Sequence, residues 1–195
     1  MNSRTITLLA LLVISAMGIN WYQDSAVVNP EVIQTPKSEP DLYMVNANIT
    51  QFDDTGQVHH YIQAEKFTHY PLTDITSLQR PNLIMYRVDE SPWQIESREG
   101  QIIPSDAANE DVVELWDDVI AIQEISDGRF VRFRTDFLTI IPASNYAETD
   151  QLVTIDDNNG TTVAGGMVAH FNPGRFQFYS NGRQRVSTVI QRKSE

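Results

Sequence analysis

The sequence predicts an all-β domain behind one apolar N-terminal span, and three observations predict it. From Leu42 onward apolar and polar residues alternate with period two, as half-buried strands do, and a period of 3.6 is scarcely found. Clusters of turn-forming residues divide that stretch into runs of 6 to 12 residues. Ahead of it stands one charge-free stretch, Ile6–Ile19.

The apolar stretch follows Arg4, and Trp21-Tyr22 then Asp24 close it. As a helix, Thr5–Tyr22 covers roughly 27 Å, enough to cross a hydrocarbon core. The aromatic pair falls where an interfacial belt forms, and the preceding positive charge directs the rest away from the cytoplasm. A signal peptide cut after Gly18 is the rival reading. Trp21 and Tyr22 make a poor mature start and no A-x-A site stands there, so an uncleaved anchor is preferred. Both readings export the remainder. Residues 24–40 hold three prolines, mixed charge and little apolar periodicity, the character of a tether. The expected organisation is an anchor at 1–23, a tether at 24–40 and a β domain at 41–195.

Within the domain Val58, His60, Ile62 and Ala64 alternate with His59, Tyr61, Gln63 and Glu65. Trp93, Ile95 and Ser97 do the same with Gln94, Glu96 and Arg98, and Val131, Phe133 and Thr135 with Arg132, Arg134 and Asp136. Asp53-Asp54-Thr55-Gly56, Asp127-Gly128, Asp157-Asn158-Asn159-Gly160, Asn172-Pro173-Gly174 and Asn181-Gly182 supply the turns. Three of the runs reach a small residue, Ala64, Ser97 and Thr135, at intervals of 33 and 38 residues. Val163–Met167, with its Gly165-Gly166, follows about one interval later. Hairpin units repeated along one axis predict a roll or solenoid-like sheet rather than an immunoglobulin-type sandwich. Chance strand patterning is the alternative.

Composition narrows the function. A net charge of −12 argues against nucleic acid, whose phosphates need a basic face. The absence of cysteine removes disulfides, thiolate metal sites and cysteine nucleophiles. No histidine spacing suits a metal, and His59 and His60, adjacent in a strand, are expected to point to opposite faces. Neither a G-x-S-x-G elbow nor a phosphate loop is present, so no catalytic residue and no cofactor is assigned. The acid pairs Asp53-Asp54, Asp117-Asp118 and Asp156-Asp157 leave open an exported carbohydrate-active enzyme working with two carboxylates. Adjacent acids in turns are more often simply solvated. A rolled sheet with an apolar interior either packs on itself or admits an apolar ligand. The candidates for that interior are Val58, Ile62, Leu78, Leu83, Met85, Trp93, Ile95, Leu115, Val119, Val131, Phe133 and Leu138. Arg175–Ser180 is read as a late strand, with Arg183–Ile190 returning after Asn181-Gly182. Such a strand is an edge that another sheet can extend. Its arginines are either gatekeepers or complements to an acidic partner.

Taken in order, several segments resemble the LptC family of the Gram-negative lipopolysaccharide export bridge. They are Ile49–Gly56, Tyr61–Glu65, Arg80–Leu83, Trp93–Ile95, Val113–Val119 and Arg134–Asp136, behind a single N-terminal span. The resemblance implies a twisted antiparallel β-jelly roll, open along one side, after one transmembrane helix. The protein would sit in the inner membrane by a single pass, with its C-terminal domain in the periplasm. It would be a non-enzymatic carrier that takes lipopolysaccharide from the inner-membrane ABC transporter and passes it to the periplasmic bridge protein LptA. A soluble bridge protein of the same β family is the nearer alternative. The lipid groove would be lined by Val58, Ile62, Leu78, Leu83, Met85, Trp93, Ile95, Val131 and Phe133. Val45, Ala47 and Ile49 would form the edge toward the transporter, and Phe176, Phe178 and Tyr179 the edge pairing with LptA. The chain departs from the family where Asp117-Asp118 and Asp156-Asp157 stand near positions that often carry glycine. An acidic domain is ill suited to phosphates, so acyl burial, at about 0.8 kcal/mol per CH₂, would carry the binding.

Overall fold

The computed structural model describes residues 39–87, 90–105 and 110–190, all within one compact unit, Lys37–Glu195. The expected anchor, and the tether up to residue 38, lie outside the described residues. Among the described residues no helix is long and apolar enough to cross a membrane.

The all-β expectation holds. Among the described residues fourteen strands form one sheet in which every pairing is antiparallel. They are β1 (Leu42–Phe52), β2 (Val58–Tyr70), β3 (Ile75–Gln79), β4 (Asn82–Arg87), β5 (Glu90–Glu96), β6 (Glu99–Ile103) and β7 (Val112–Ile125). A 3₁₀ turn at Ser126–Gly128 leads to β8 (Arg129–Ile141), β9 (Tyr146–Thr149), β10 (Val153–Asp157), β11 (Gly160–Ala164), β12 (Gly166–His170), β13 (Arg175–Tyr179) and β14 (Ser187–Ile190).

The long strands fold this sheet in half. The first part of β2 pairs with β4 and the last part with β3. The end of β7 pairs with β5 and its start with β6. The start of β8 pairs with β10 and its end with β9. One layer therefore runs β1-β2-β4-β5-β7-β8-β10-β11-β14, and the other β1-β2-β3-β6-β7-β8-β9-β12-β13. The chain passes from the first layer to the second near Ala64, Ser97, Thr135 and Gly165. These are the small residues whose spacing suggested a repeat.

The return crossings fall at Arg80-Pro81, at Asp117-Asp118 and around Gln151, and β1 crosses at Asn46. Left-handed backbone marks the first two returns and the β1 crossing: φ is 50° at Asn46, 46° at Arg80, 63° at Asp117 and 59° at Asp118. The aspartate pair forms a bulge in β7, where the register shifts between Trp116 and Val119. Exposed ion pairs sit along the same line, Arg80 with Glu65 at 2.7 Å and Arg98 with Asp118. Each such pair is worth no more than about 1 kcal/mol.

Alternation places the core between the layers, but the crossings reset it. In β2 the buried positions run Ile62, Ala64 and then Phe67; in β8 they run Phe133, Thr135 and then Leu138. Where the layers face each other at the C-terminal end, Trp93 of the first layer meets Phe171 of the second at 5.0 Å between ring centroids, and Phe133 meets Phe176 at 5.1 Å. Trp93 and Phe133 stack at 5.3 Å within the first layer. These four rings fill the interior there.

Candidate functional site

Toward β1 the layers do not fill the space between them. A cavity of about 340 Å³ remains, floored by Ile49 and Ile62 from the first layer and by Ile102 and Val113 from the second. Pro142 and Ala143, which have little side chain to offer, leave its mouth open on the side away from the crossings. The rim is polar and largely acidic: His60, His69, Asp74, Glu110 and Asp111. The result is an apolar floor behind an acidic rim, an arrangement that admits hydrocarbon and repels a bare anion.

The rim histidines are held differently. His69 Nδ1 lies 3.3 Å from Thr76 Oγ1, while its Nε2 lies 3.8 Å from Asp41 and 3.6 Å from Asp74. His60 is half-buried, and that burial, with His59 beside it, lowers its pKa to about 4. The expectation that His59 and His60 point apart is corrected: their Nδ1 atoms stand 3.0 Å from each other. The register shift at Gln51/Phe52 twists this end of the hairpin and swings the two rings together. Among the described residues no cluster of three or more metal-ligating side chains occurs.

The predicted groove residues separate into three groups. Ile62 lines the cavity. Leu78, Leu83, Met85 and Ile95 are wholly buried in packed core, and Trp93 and Phe133 belong to the aromatic cluster. Val131 is half-buried against the core and Val58 is exposed at the start of β2. Alternation identifies inward-facing residues, but whether such a residue meets a partner or a void depends on the opposite layer. Ile102, Val113, Pro142 and Ala143 were not singled out. The nearest sequence signal for the cavity was His60, a polar residue in an otherwise apolar inward row.

The predicted edges are open on one side. Among the described residues β1 pairs only with β2, and β13 only with β12. On β1, Val45 is 68% exposed and Ile49 40%, whereas Ala47 packs on the core. On β13, Phe176 and Phe178 turn inward against the core. Tyr179 Oη donates to Thr149 O at 2.8 Å, and its ring covers Gly166, where a Cβ would stand 2.3 Å from it. The expected hairpin return is corrected. Residues 187–190 cross to the first layer and pair with β11, with Gly160 opposite Ile190, so each layer ends in its own edge. Asn181 Oδ1, accepting from the backbone of Arg183 and Gln184, turns the chain away.

The acid pairs are engaged elsewhere. Asp53 Oδ1 accepts from Thr55 Oγ1 and from the backbone of Gln57 and Thr55 in its own turn, which lowers its pKa. Asp118 pairs with Arg98, Asp156 with Arg134, and Asp157 caps Asn159 and Gly160.

Together these features define an all-β protein, a folded antiparallel sheet with a cavity between its halves and edge strands open on one side. The family described as "Lipopolysaccharide-assembly, LptC-related" matches residues 7–187, and the chain belongs to it. Among curated proteins none matches the chain. A solved structure similar to it is that of LptH, the LptA-homologous periplasmic component of the conserved lipopolysaccharide transport device from Pseudomonas aeruginosa. The two share 10% sequence identity at a TM-score of 0.49, over 80% of this chain and 99% of that one.

Proposed function

We infer that the protein is a non-enzymatic lipopolysaccharide carrier of jelly-roll architecture. Residues 1–23 anchor it in the inner membrane by a single pass, 24–40 tether it, and 41–195 work in the periplasm. Lipid enters from the transporter at the β1 end, where Val45, Ala47 and Ile49 form the receiving edge. It leaves for LptA at the other end, by pairing along Phe176–Tyr179. The observation that carries this reading is the cavity of about 340 Å³ between the layers, which opens beside the unpaired edge of β1. Binding rests on the acyl chains, each buried CH₂ contributing about 0.8 kcal/mol. The chain carries no nucleotide-binding motif, so the transporter supplies the energy.

The test places a photo-crosslinking residue at Ile62 or at Leu83 of the full chain, with transporter, ATP and lipopolysaccharide. Position 62 is expected to give ATP-dependent lipid crosslinks, and fully packed Leu83 far fewer. Ile62→Arg is expected to reduce loading at least tenfold while the chain stays folded. Absence of crosslinks at both positions would sink the conduit and leave the interior as plain core.

A further inference from the structure

A second hollow, of about 150 Å³, lies on the open side, and side chains from both layers surround it. His59 at the start of β2 and Arg87 at the end of β4 come from the first layer. Asn145 in the β8–β9 turn and Asn172 in the β12–β13 turn come from the second. One contact bridges the slot here: Asn145 Nδ2 stands 3.5 Å from His59 Nε2. Arg87 Nη1 points toward Gly174, 3.9 Å from where a Cβ would lie.

Arg87 differs from the other ion-paired arginines. Its side chain is 10% exposed, against 72% for Arg80, 73% for Arg98 and 51% for Arg134. A guanidinium stays charged when buried. Nη2 pairs with Glu90, yet among the described residues the Nε–H is buried without a hydrogen-bond partner, and Asn145 Oδ1 is likewise unpartnered. Leaving a donor unmade on a buried cation is expensive, and folded proteins keep few such groups. Two carboxylates stand close by. Asp53 directs its charge into its own turn, accepting from Thr55 Oγ1 at 2.6 Å as well as from the backbone. Glu90 is 53% exposed and can move into water, freeing that edge of the fork.

We propose that this hollow binds a phosphomonoester, its oxygens held by the Arg87 fork and its remaining hydrogen bonds made by His59, Asn145 and Asn172. A charge-assisted, two-pronged grip is what a guanidinium offers a phosphate and an ammonium does not. The proposal deepens the lipid reading and rests on it for the natural ligand. A lipid whose chains lie between the layers must let its headgroup out through the slot, and this site stands on the slot. The domain's acidity repels phosphate as a whole, and one buried guanidinium makes a local exception. A lipid headgroup and a free sugar phosphate present the same chemistry.

The test uses the full chain in maltoside micelles, with the histidine rings isotopically labelled for NMR. Glucosamine 1-phosphate, inorganic phosphate, and diphosphorylated or dephosphorylated lipid A are titrated in turn. His59 reports on the hollow, and His69, in the other cavity, is the control. Phosphorylated probes are expected to shift His59 saturably and leave His69 unmoved, with no such shift from dephosphorylated lipid A. Arg87→Gln should abolish the shift, and Arg87→Lys should weaken binding about fivefold, since a point charge replaces the fork. Glu90→Gln leaves Arg87 in place and removes its competitor, so affinity should rise severalfold even if Arg87→Gln fails to fold. A response to the diphosphorylated lipid alone assigns the headgroup, and a response to soluble phosphates as well assigns the group itself; both support the site. No His59 shift with any probe, equal affinity in Arg87→Gln, or unchanged affinity in Glu90→Gln overturns it. Failure of lipid crosslinking at Ile62 with the His59 response intact would overturn the conduit instead and leave the phosphate site standing.

Discussion

Asp117 and Asp118 occupy left-handed backbone where β7 changes layer, with φ of 63° and 59°. Aspartate tolerates this region better than most residues, and a β-branched side chain tolerates it worst. Asp117→Val is therefore expected to destabilise the protein by about 2 kcal/mol. Asp117→Gly should stay within about 1 kcal/mol of the parent, since relief at φ offsets the added freedom of the unfolded chain. The urea unfolding midpoints of the full chain distinguish the two. The positive φ at both aspartates is the backbone conformation that glycine adopts most readily. A second residue-scale expectation concerns His60, whose pKa is about 4 against an ordinary 6.5. The folded state resists a proton that the unfolded chain accepts, so stability present above pH 6.5 falls as the pH drops toward 4. His60→Gln removes that term, and its unfolding midpoint should change less across this window than the parent's.

At the scale of elements, β13 presents unpaired backbone groups on its open side, where no described strand pairs with it, while Phe176 and Phe178 turn inward. Phe178→Pro removes a backbone donor from this strand, whereas Phe178→Ala removes only the side chain. Strand-to-strand crosslinking to an LptA-type partner should fall several-fold in the proline variant and persist in the alanine variant. Persistence in both would place the docking edge elsewhere. Strand positions were legible in the sequence because a half-buried strand prints its period on the residue order. Ala64, Ser97, Thr135 and Gly165 were legible as a repeat because each passage from the first layer to the second has a small residue at the bend. The partner of residues 187–190 was not legible. A turn such as Asn181-Gly182 announces a change of direction without saying which strand receives the chain, and here the exposed edge of β11 does.

For the whole molecule, the interior has two regimes, a cavity near β1 and a stack of rings near β13. Phe133 closes one side of the stack, touching both Trp93 and Phe176. Phe133→Ala is expected to cost about 3–5 kcal/mol and to extend the void toward the C-terminal end. Calorimetric unfolding checks the first effect, and xenon or lipid crosslinking beyond Ile62 the second. The sequence could not separate these regimes: Ile62 and Leu83 have the same chemistry and the same inward orientation, yet one faces space and the other does not. That difference arises from pairs of residues far apart in sequence, such as Trp93 and Phe171, which no local pattern encodes.

The equal count of strands in the two layers has a mechanical consequence. Both layers contain nine strands and share β1, β2, β7 and β8, so the two halves finish level with each other. At roughly 4.8 Å per strand, the distance from the first edge to the last is about 38 Å. The reach of the protein is thus quantised. Losing one unit of the repeat would shorten it by two rungs and leave both end faces intact, whereas losing a single strand would leave one half proud of the other and spoil the joint.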